Sequence, residues 1–150
     1  MLGPSPLPTL ELYSKSKFLR LWKHPKQNIQ STKHPLLLFH GAPESHLIWT
    51  PYLDRLGKDR DMYLLAFPSD QSDAPTPSAL EMATGRLAHE TRVILDAWAD
   101  AHSTFVVGAH DFGAEMCSNG SLHRIDGVRY QQWDLSQWGQ ACATTYSNTG

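Results

Sequence analysis

Three short apolar runs constrain the fold of this chain more than any other feature of its sequence. They are PLLLF at 35–39, DMYLLAF at 61–67 and STFVVG at 103–108. A continuous apolar run of this length, bounded by Gly, Pro or polar residues, is typical of a strand that is buried on both faces, as in a parallel sheet.

Two helices are predicted between these strands. The first covers about 49–56 and ends at Gly57. The second is a long amphipathic helix over about 79–101, with Ser78 and Glu81 at the spacing of a capping box. Strands that alternate with helices in this way predict an α/β fold, with a mostly parallel sheet and helices on both faces.

The chain divides into three parts by composition. Residues 1–34 are polar and rich in Pro and Lys, and they hold a candidate edge strand near Phe18–Trp22. Residues 35–116 form the predicted α/β core. Residues 117–150 lack a sustained helical or strand period, so we expect a divergent, poorly packed tail.

Composition excludes several classes of function. The 150 residues suffice for one domain, and the net charge of −2, with scattered Lys and Arg, gives no support for binding to nucleic acid or a membrane surface. The sequence has no apolar run long enough for a signal peptide or a membrane span, so a cytoplasmic location is expected. Cys117 and Cys142 form neither a disulfide framework nor a zinc spacing, and no metal site is predicted.

The third apolar run leads directly into Ala109-His110-Asp111-Phe112-Gly113. A small residue on each side of a central nucleophile is what a very tight strand-to-helix turn requires. Asp111 would then lie at the N-terminus of a helix, where free N–H groups favour an ionised carboxylate. A carboxylate suits displacement at a saturated carbon, which forms an ester that water then hydrolyses.

The first apolar run leads into His40-Gly41-Ala42-Pro43, with Trp49 shortly after it. Together, HGAPES…W and GAHDFGAE resemble the epoxide hydrolase branch of the α/β-hydrolases over about residues 35–116. That branch typically shows His-Gly-x-Pro and, about 70 residues later, Gly-His-Asp-Trp-Gly. The resemblance implies the N-terminal half of an α/β-hydrolase fold without a cap domain.

The resemblance also implies roles for individual residues. Asp111 would be the nucleophile, and the backbone N–H groups of Ala42 and Phe112 would form the oxyanion hole. Trp49 would lie near the substrate pocket or pack beneath it. The remaining motif residues would support the site, with His40 orienting the oxyanion loop and His110 packing behind the turn; they are His40, Gly41, Pro43, His110 and Gly113. The implied substrate is an apolar epoxide, water is the co-substrate, and no cofactor is implied.

Two alternatives stay open, and so does the oligomeric state. Haloalkane or haloacid dehalogenation uses the same nucleophile, although Phe112 replaces the Trp whose indole N–H binds halide in the related dehalogenases. The chain could also be a non-catalytic fragment, truncated or mis-spliced near Cys117. Only 39 residues follow Asp111, and His123 is the sole histidine among them, so the family's late acid and histidine are expected to be missing.

Overall fold

The computed structural model describes residues 9–41, 44–69, 72–101, 104–110, 129–135 and 139–147. Seven strands form one sheet, and their bounds are β1 Glu11–Lys15, β2 Arg20–His24, β3 Leu36–Phe39, β4 Met62–Ala66, β5 Thr104–His110, β6 Arg129–Leu135 and β7 Gly139–Ser147. A 3-10 helix and three α-helices accompany them: His46–Trp49 for the 3-10 helix, then α1 Thr50–Leu56, α2 Ala79–Ala83 and α3 Arg86–Ala101. None of these described helices is long and apolar enough to cross a membrane.

The sheet is mixed, and its strand order is β1-β2-β4-β3-β5-β7-β6. The three apolar runs of the sequence form its centre, where β3 pairs in parallel with β4 on one side and with β5 on the other. The flanking pairs on both sides are antiparallel. The parallel pairing that the sequence predicts is therefore confined to the three central strands.

Helices cover both faces of this centre, as predicted. Side chains alternate along β4, so that Tyr63 and Leu65 face one apolar cluster while Met62 and Leu64 face the other. On the first face the cluster includes the buried side of α3, which is Leu87, Ile94, Leu95 and Trp98. On the second face it includes Leu53 of α1. Each strand of the centre is thus buried on both sides, which explains its continuous apolar run.

The long helix predicted over 79–101 is divided in two. Ser78 and Glu81 form the predicted capping box at the start of α2. The helix then breaks at Gly85, whose φ of 71° lies in the left-handed region that glycine adopts without steric cost. The periodic pattern predicted the helical face but not this interruption.

The two ends of the sheet differ most from expectation. The N-terminal segment contributes two strands where the sequence predicts one, and β1 forms the sheet edge. Residues 117–150 show no sustained strand period in the sequence, yet they contribute two strands, because β7 pairs with the whole of β5 and β6 pairs with β7. The packing of this segment's side chains lies outside the described part of the structure and stays a prediction.

Candidate active site

The two motifs of the sequence follow neighbouring parallel strands. Phe39, the last residue of β3, is in register with Ala109 of β5. His40 follows directly after β3, and β5 ends at His110. Because the carboxyl ends of parallel strands meet at one edge of a sheet, the segments that begin at His40 and at His110 start side by side.

This edge is also a topological switch point. The connection from β3 passes through α1 to β4 on one side, whereas the connection through α3 brings the chain to β5 on the other side. The two helices lie on opposite faces of the sheet, so the connection from β3 to β4 and the connection from β4 to β5 cross on opposite faces. In open α/β sheets, ligands bind in the crevice that forms at such a point.

Several predicted site residues lie outside the described residues. They are the nucleophile, both oxyanion-hole residues and two of the supporting residues, namely Asp111, Ala42, Phe112, Pro43 and Gly113. Of His110 the structure describes the backbone, which closes β5 opposite Ala141 of β7. The roles of these residues stay predictions.

His40 is buried and held at both ring nitrogens. Its Nε2 accepts the backbone N–H of Phe67 at 2.9 Å, so Nδ1 carries the proton and donates to the carbonyl oxygen of Gly41 at 2.7 Å. Burial lowers the pKa of His40, although the bond to Gly41 and the charge of Glu44 act in the opposite direction. A neutral ring in this arrangement ties the residue after β3 to the end of β4 and leaves no free nitrogen for a base. The orienting role of His40 stays a prediction.

Trp49 lies at the end of the 3-10 helix that follows the His40–Pro43 motif. It packs against the apolar cluster on the α1 face of the sheet and contacts Tyr52, with ring centroids 6.0 Å apart. Its indole Nε1 is buried and has no hydrogen-bond partner within the described part of the chain. The place of Trp49 relative to the substrate pocket stays a prediction.

His46, at the other end of this 3-10 helix, was not singled out as a site residue by the sequence. The residue is only 6% exposed, and its ring stacks on Trp22 of β2. Burial and the nearby His40 lower the pKa of His46 to about 4, against the opposing charge of Asp73. The histidine could have been noticed because it opens an otherwise apolar segment, HLIW, directly after the motif.

The segment after β4 also reaches this edge of the sheet, and a salt bridge holds it. Asp73 accepts from Arg20 Nε at 3.0 Å, and Arg20 in turn donates through Nη1 to the carbonyl oxygens of Ser16 and Leu19. Ser72 closes the turn by accepting the N–H of Ala74 at 3.2 Å. The segment around Ser72 and Asp73 is therefore fixed to the hairpin of β1 and β2.

The described residues contain no group of three His, Cys, Asp or Glu side chains that could hold a metal ion. Three histidines close together in the sequence differ in their surroundings: His34 precedes β3 and is exposed, whereas His40 and His46 follow β3 and are buried.

Solved structures provide the comparison with known proteins. A single-residue variant of a candidate epoxide hydrolase from Pseudomonas aeruginosa is similar over 77% of this chain, with a TM-score of 0.52 and 25% identity. An α/β-hydrolase fold protein from Burkholderia ambifaria matches 72% of the chain with a TM-score of 0.51 and 26% identity. An epoxide hydrolase from an endophytic Streptomyces matches 81% with a TM-score of 0.53 and 21% identity. The sequence matches no protein-family model and no curated protein sequence.

The fold of this chain is thus part of the α/β-hydrolase fold. Within that class, its solved neighbours include epoxide hydrolases, as the two motifs of the sequence imply. The chain spans 37%, 38% and 35% of the length of the three neighbours described above.

Proposed function

We propose that the chain belongs to a hydrolase in which Asp111 attacks an epoxide carbon and forms an alkyl ester. The observation that carries the proposal is the parallel pairing of β3 with β5, in register from Leu36 and Val106 to Phe39 and Ala109. This pairing starts the His40–Pro43 and His110–Gly113 segments side by side at the switch point of the sheet. The neighbours named as epoxide hydrolases support the same chemistry.

The proposed first step is a nucleophilic displacement. A carboxylate oxygen of Asp111 forms a bond to one epoxide carbon, and the carbon–oxygen bond of the ring breaks. The electron pair of that bond stays on the ring oxygen, which takes a proton from water and becomes a hydroxyl; the hydroxide ion left by that water is neutralised by the proton that ester hydrolysis releases in the second step. The product is a hydroxyalkyl ester of Asp111.

The proposed second step is ester hydrolysis. Water attacks the ester carbonyl, and the negative charge that develops on its oxygen is stabilised by the backbone N–H groups of Ala42 and Phe112. Collapse of this intermediate releases the diol and restores the carboxylate. A base must remove the proton of the attacking water, and His40 does not suit this role because both of its nitrogens are bonded.

The test is intact-mass spectrometry of the 150-residue chain after incubation with styrene oxide, an apolar epoxide. We expect one added epoxide mass on the wild-type chain, and none on Asp111→Asn. Asp96→Asn is the matched control, because Asp96 is an exposed aspartate on α3, remote from the switch point, and this variant should react like the wild type. A wild-type chain that circular dichroism shows to be folded and that forms neither an adduct nor the diol would contradict the proposal.

Incubation with chloroacetate distinguishes dehalogenation. Displacement of chloride would add a carboxymethyl group and release one chloride ion. The Phe112 side chain offers no donor for halide, so we expect the epoxide to react and chloroacetate to leave the mass unchanged. The reverse result would replace epoxide opening by dehalogenation as the function of this site.

A further inference from the structure

The segment that follows β3 is held at its beginning by His40, and a second histidine lies at its far end. Ser45 caps the 3-10 helix, since its side chain accepts the N–H of Leu47 at 3.2 Å and its carbonyl oxygen accepts the N–H of Ile48 at 3.1 Å. His46 is the first residue of that helix. Whatever fixes His46 therefore fixes the point where the segment joins the helix.

The ring of His46 is fixed by an aromatic contact. It lies nearly parallel to the indole of Trp22, with ring centroids 5.9 Å apart and an interplanar angle of 16°. Trp22 belongs to β2, where it is paired with Leu64 of β4, so the indole stands on a strand of the sheet. An offset stack of this kind contributes beyond the apolar area that it buries.

A hydrogen bond from His46 Nδ1 does not explain the position of the ring. His46 Nδ1 is buried and has no hydrogen-bond partner within the described residues. An unpaired buried polar atom is unfavourable, so an all-carbon ring would pack in this place at lower cost. The contact that the structure shows for this ring is therefore its stack on Trp22, and not a hydrogen bond of Nδ1.

The two histidines therefore hold the two ends of one segment by different means. His40 uses hydrogen bonds to Gly41 and Phe67, and His46 uses its stack on Trp22. We propose that His46 is a positioning residue for the proposed oxyanion hole. The stack of the His46 ring on Trp22 anchors the far end of the segment that carries Ala42. The inference rests on the proposed function for its catalytic consequence, but the anchoring itself is testable without it.

The first experiment measures anchoring by amide hydrogen exchange in the full 150-residue chain. His46→Ala should accelerate exchange of the Leu47 and Ile48 amides by about tenfold, since removal of a stacked, buried ring costs on the order of 1 kcal/mol or more. The amide of Phe67, which is bonded to His40 at the other end, should not change by more than about twofold. His46→Phe keeps the ring and should exchange like the wild type.

Leu53→Ala is the matched control for a general loss of stability. Leu53 is 1% exposed and belongs to the apolar cluster on the same face of the sheet, but it lies in α1 and not at the segment. Equal acceleration at Leu47, Ile48 and Phe67 in both Ala variants would show global destabilisation and overturn the proposal. Loss of protection in His46→Phe would also overturn it, because the nitrogen would then be the anchor.

A double-mutant cycle tests the stated partner. Trp22→Leu should accelerate exchange at Leu47 and Ile48 as His46→Ala does, and the double variant should add little further. Additive effects of the two substitutions would contradict the stack as the anchor.

The catalytic consequence is measured separately. Where the wild-type chain releases diol from styrene oxide in a turnover assay, or from an isolated Asp111 ester in a single-turnover assay, His46→Ala should slow ester hydrolysis at least about tenfold and leave the rate of ester formation within about twofold. His46→Phe should restore hydrolysis. Failure of the wild type to form an ester would count against the proposed function alone, whereas unchanged hydrolysis in His46→Ala would overturn the positioning role.

Discussion

The imidazole of His40 accepts the backbone N–H of Phe67 through Nε2 at 2.9 Å, and this bond joins the ends of two neighbouring parallel strands. The same ring donates from Nδ1 to Gly41 and contacts the Phe67 ring edge-on, with centroids 5.3 Å apart. The residue is 2% exposed, so neither backbone group has water as a substitute partner. His40 thus provides a hydrogen-bond partner for two buried backbone groups.

His40→Phe should lower the free energy of unfolding by about 1–3 kcal/mol, because the N–H of Phe67 and the carbonyl of Gly41 lose their partner in a buried place. Urea denaturation followed by circular dichroism measures the change. The matched control is His89→Phe on the exposed side of α3, which should stay within about 0.5 kcal/mol of the wild type. Equal stability of His40→Phe and the wild type would show that these bonds contribute nothing.

Stability should decrease as the pH falls from about 6.5 to about 4. Burial lowers the pKa of His40, and burial together with the nearby His40 lowers that of His46 to about 4. The unfolded chain binds protons at these rings near their usual value of 6.5, whereas the folded chain binds one at His46 only near pH 4 and at His40 only below its usual value, so acid favours unfolding. Each histidine can contribute a slope of up to about 1.4 kcal/mol per pH unit.

Urea midpoints measured between pH 7.5 and pH 4.5 test this pH dependence. His46→Phe removes one of the two groups and should flatten the slope in the lower part of the window. A wild-type midpoint that stays constant over this range would contradict the neutral, buried state of both rings.

Glu90 should be among the most costly carboxylates to remove. It is buried at the start of α3, where it accepts the N–H of Phe18 at 3.0 Å and Arg86 Nε at 2.8 Å. Burial alone would raise the pKa of Glu90, but the bonds from Ser16, Arg86 and Phe18 outweigh it and lower the pKa. Its contribution is therefore present above about pH 4.5 and lost as the carboxylate is protonated at lower pH.

Glu90→Leu should destabilise the chain by about 1–3 kcal/mol at pH 7, because a buried N–H and a guanidinium lose their acceptor. The control is Lys33→Gln, which removes an exposed ion pair with Asp59 and should change the free energy of unfolding by less than about 1 kcal/mol. Similar losses of unfolding free energy in the two variants would show that the buried hydrogen bonds of Glu90 stabilise the chain no more than an exposed ion pair does.

Gly85→Ala should destabilise the chain by about 1 kcal/mol through backbone strain alone. A Cβ at Gly85 meets nothing within 4 Å, so the cost comes from the positive φ of 71° and not from a clash. Gly85→Asn should cost less, because Asn tolerates the left-handed region better than Ala. Thermal unfolding of both variants gives the order, and a more stable Ala variant would show that the break between α2 and α3 is not maintained in solution.

The centre of the fold could be predicted from the sequence because burial on both faces leaves a clear pattern. The runs that became β3, β4 and β5 are continuously apolar, and α3 shows an apolar face that ends in Trp98. Gly57 and the Ser78–Glu81 box marked helix ends through local backbone chemistry. Apolar runs and helix ends depend on residues that are close together in the sequence, so the sequence pattern can predict them.

The edges of the sheet could not be predicted, for the opposite reason. β1 is mostly exposed, and β6 and β7 are rich in polar residues, so none of these strands carries an apolar run. Their existence depends on pairing with a strand that is distant in sequence, as β7 pairs with β5. The role of His46 is hidden in the same way, because its partner Trp22 lies on another strand.

Location of the adduct by peptide mapping tests the central claim most directly. After reaction of the 150-residue chain with styrene oxide, tandem mass spectrometry should place one epoxide on Asp111, and alkaline hydroxylamine should remove it because that nucleophile cleaves alkyl esters under alkaline conditions. An adduct that resists hydroxylamine and maps to the thiol of Cys117 or Cys142, with Asp111 unmodified, would contradict the account.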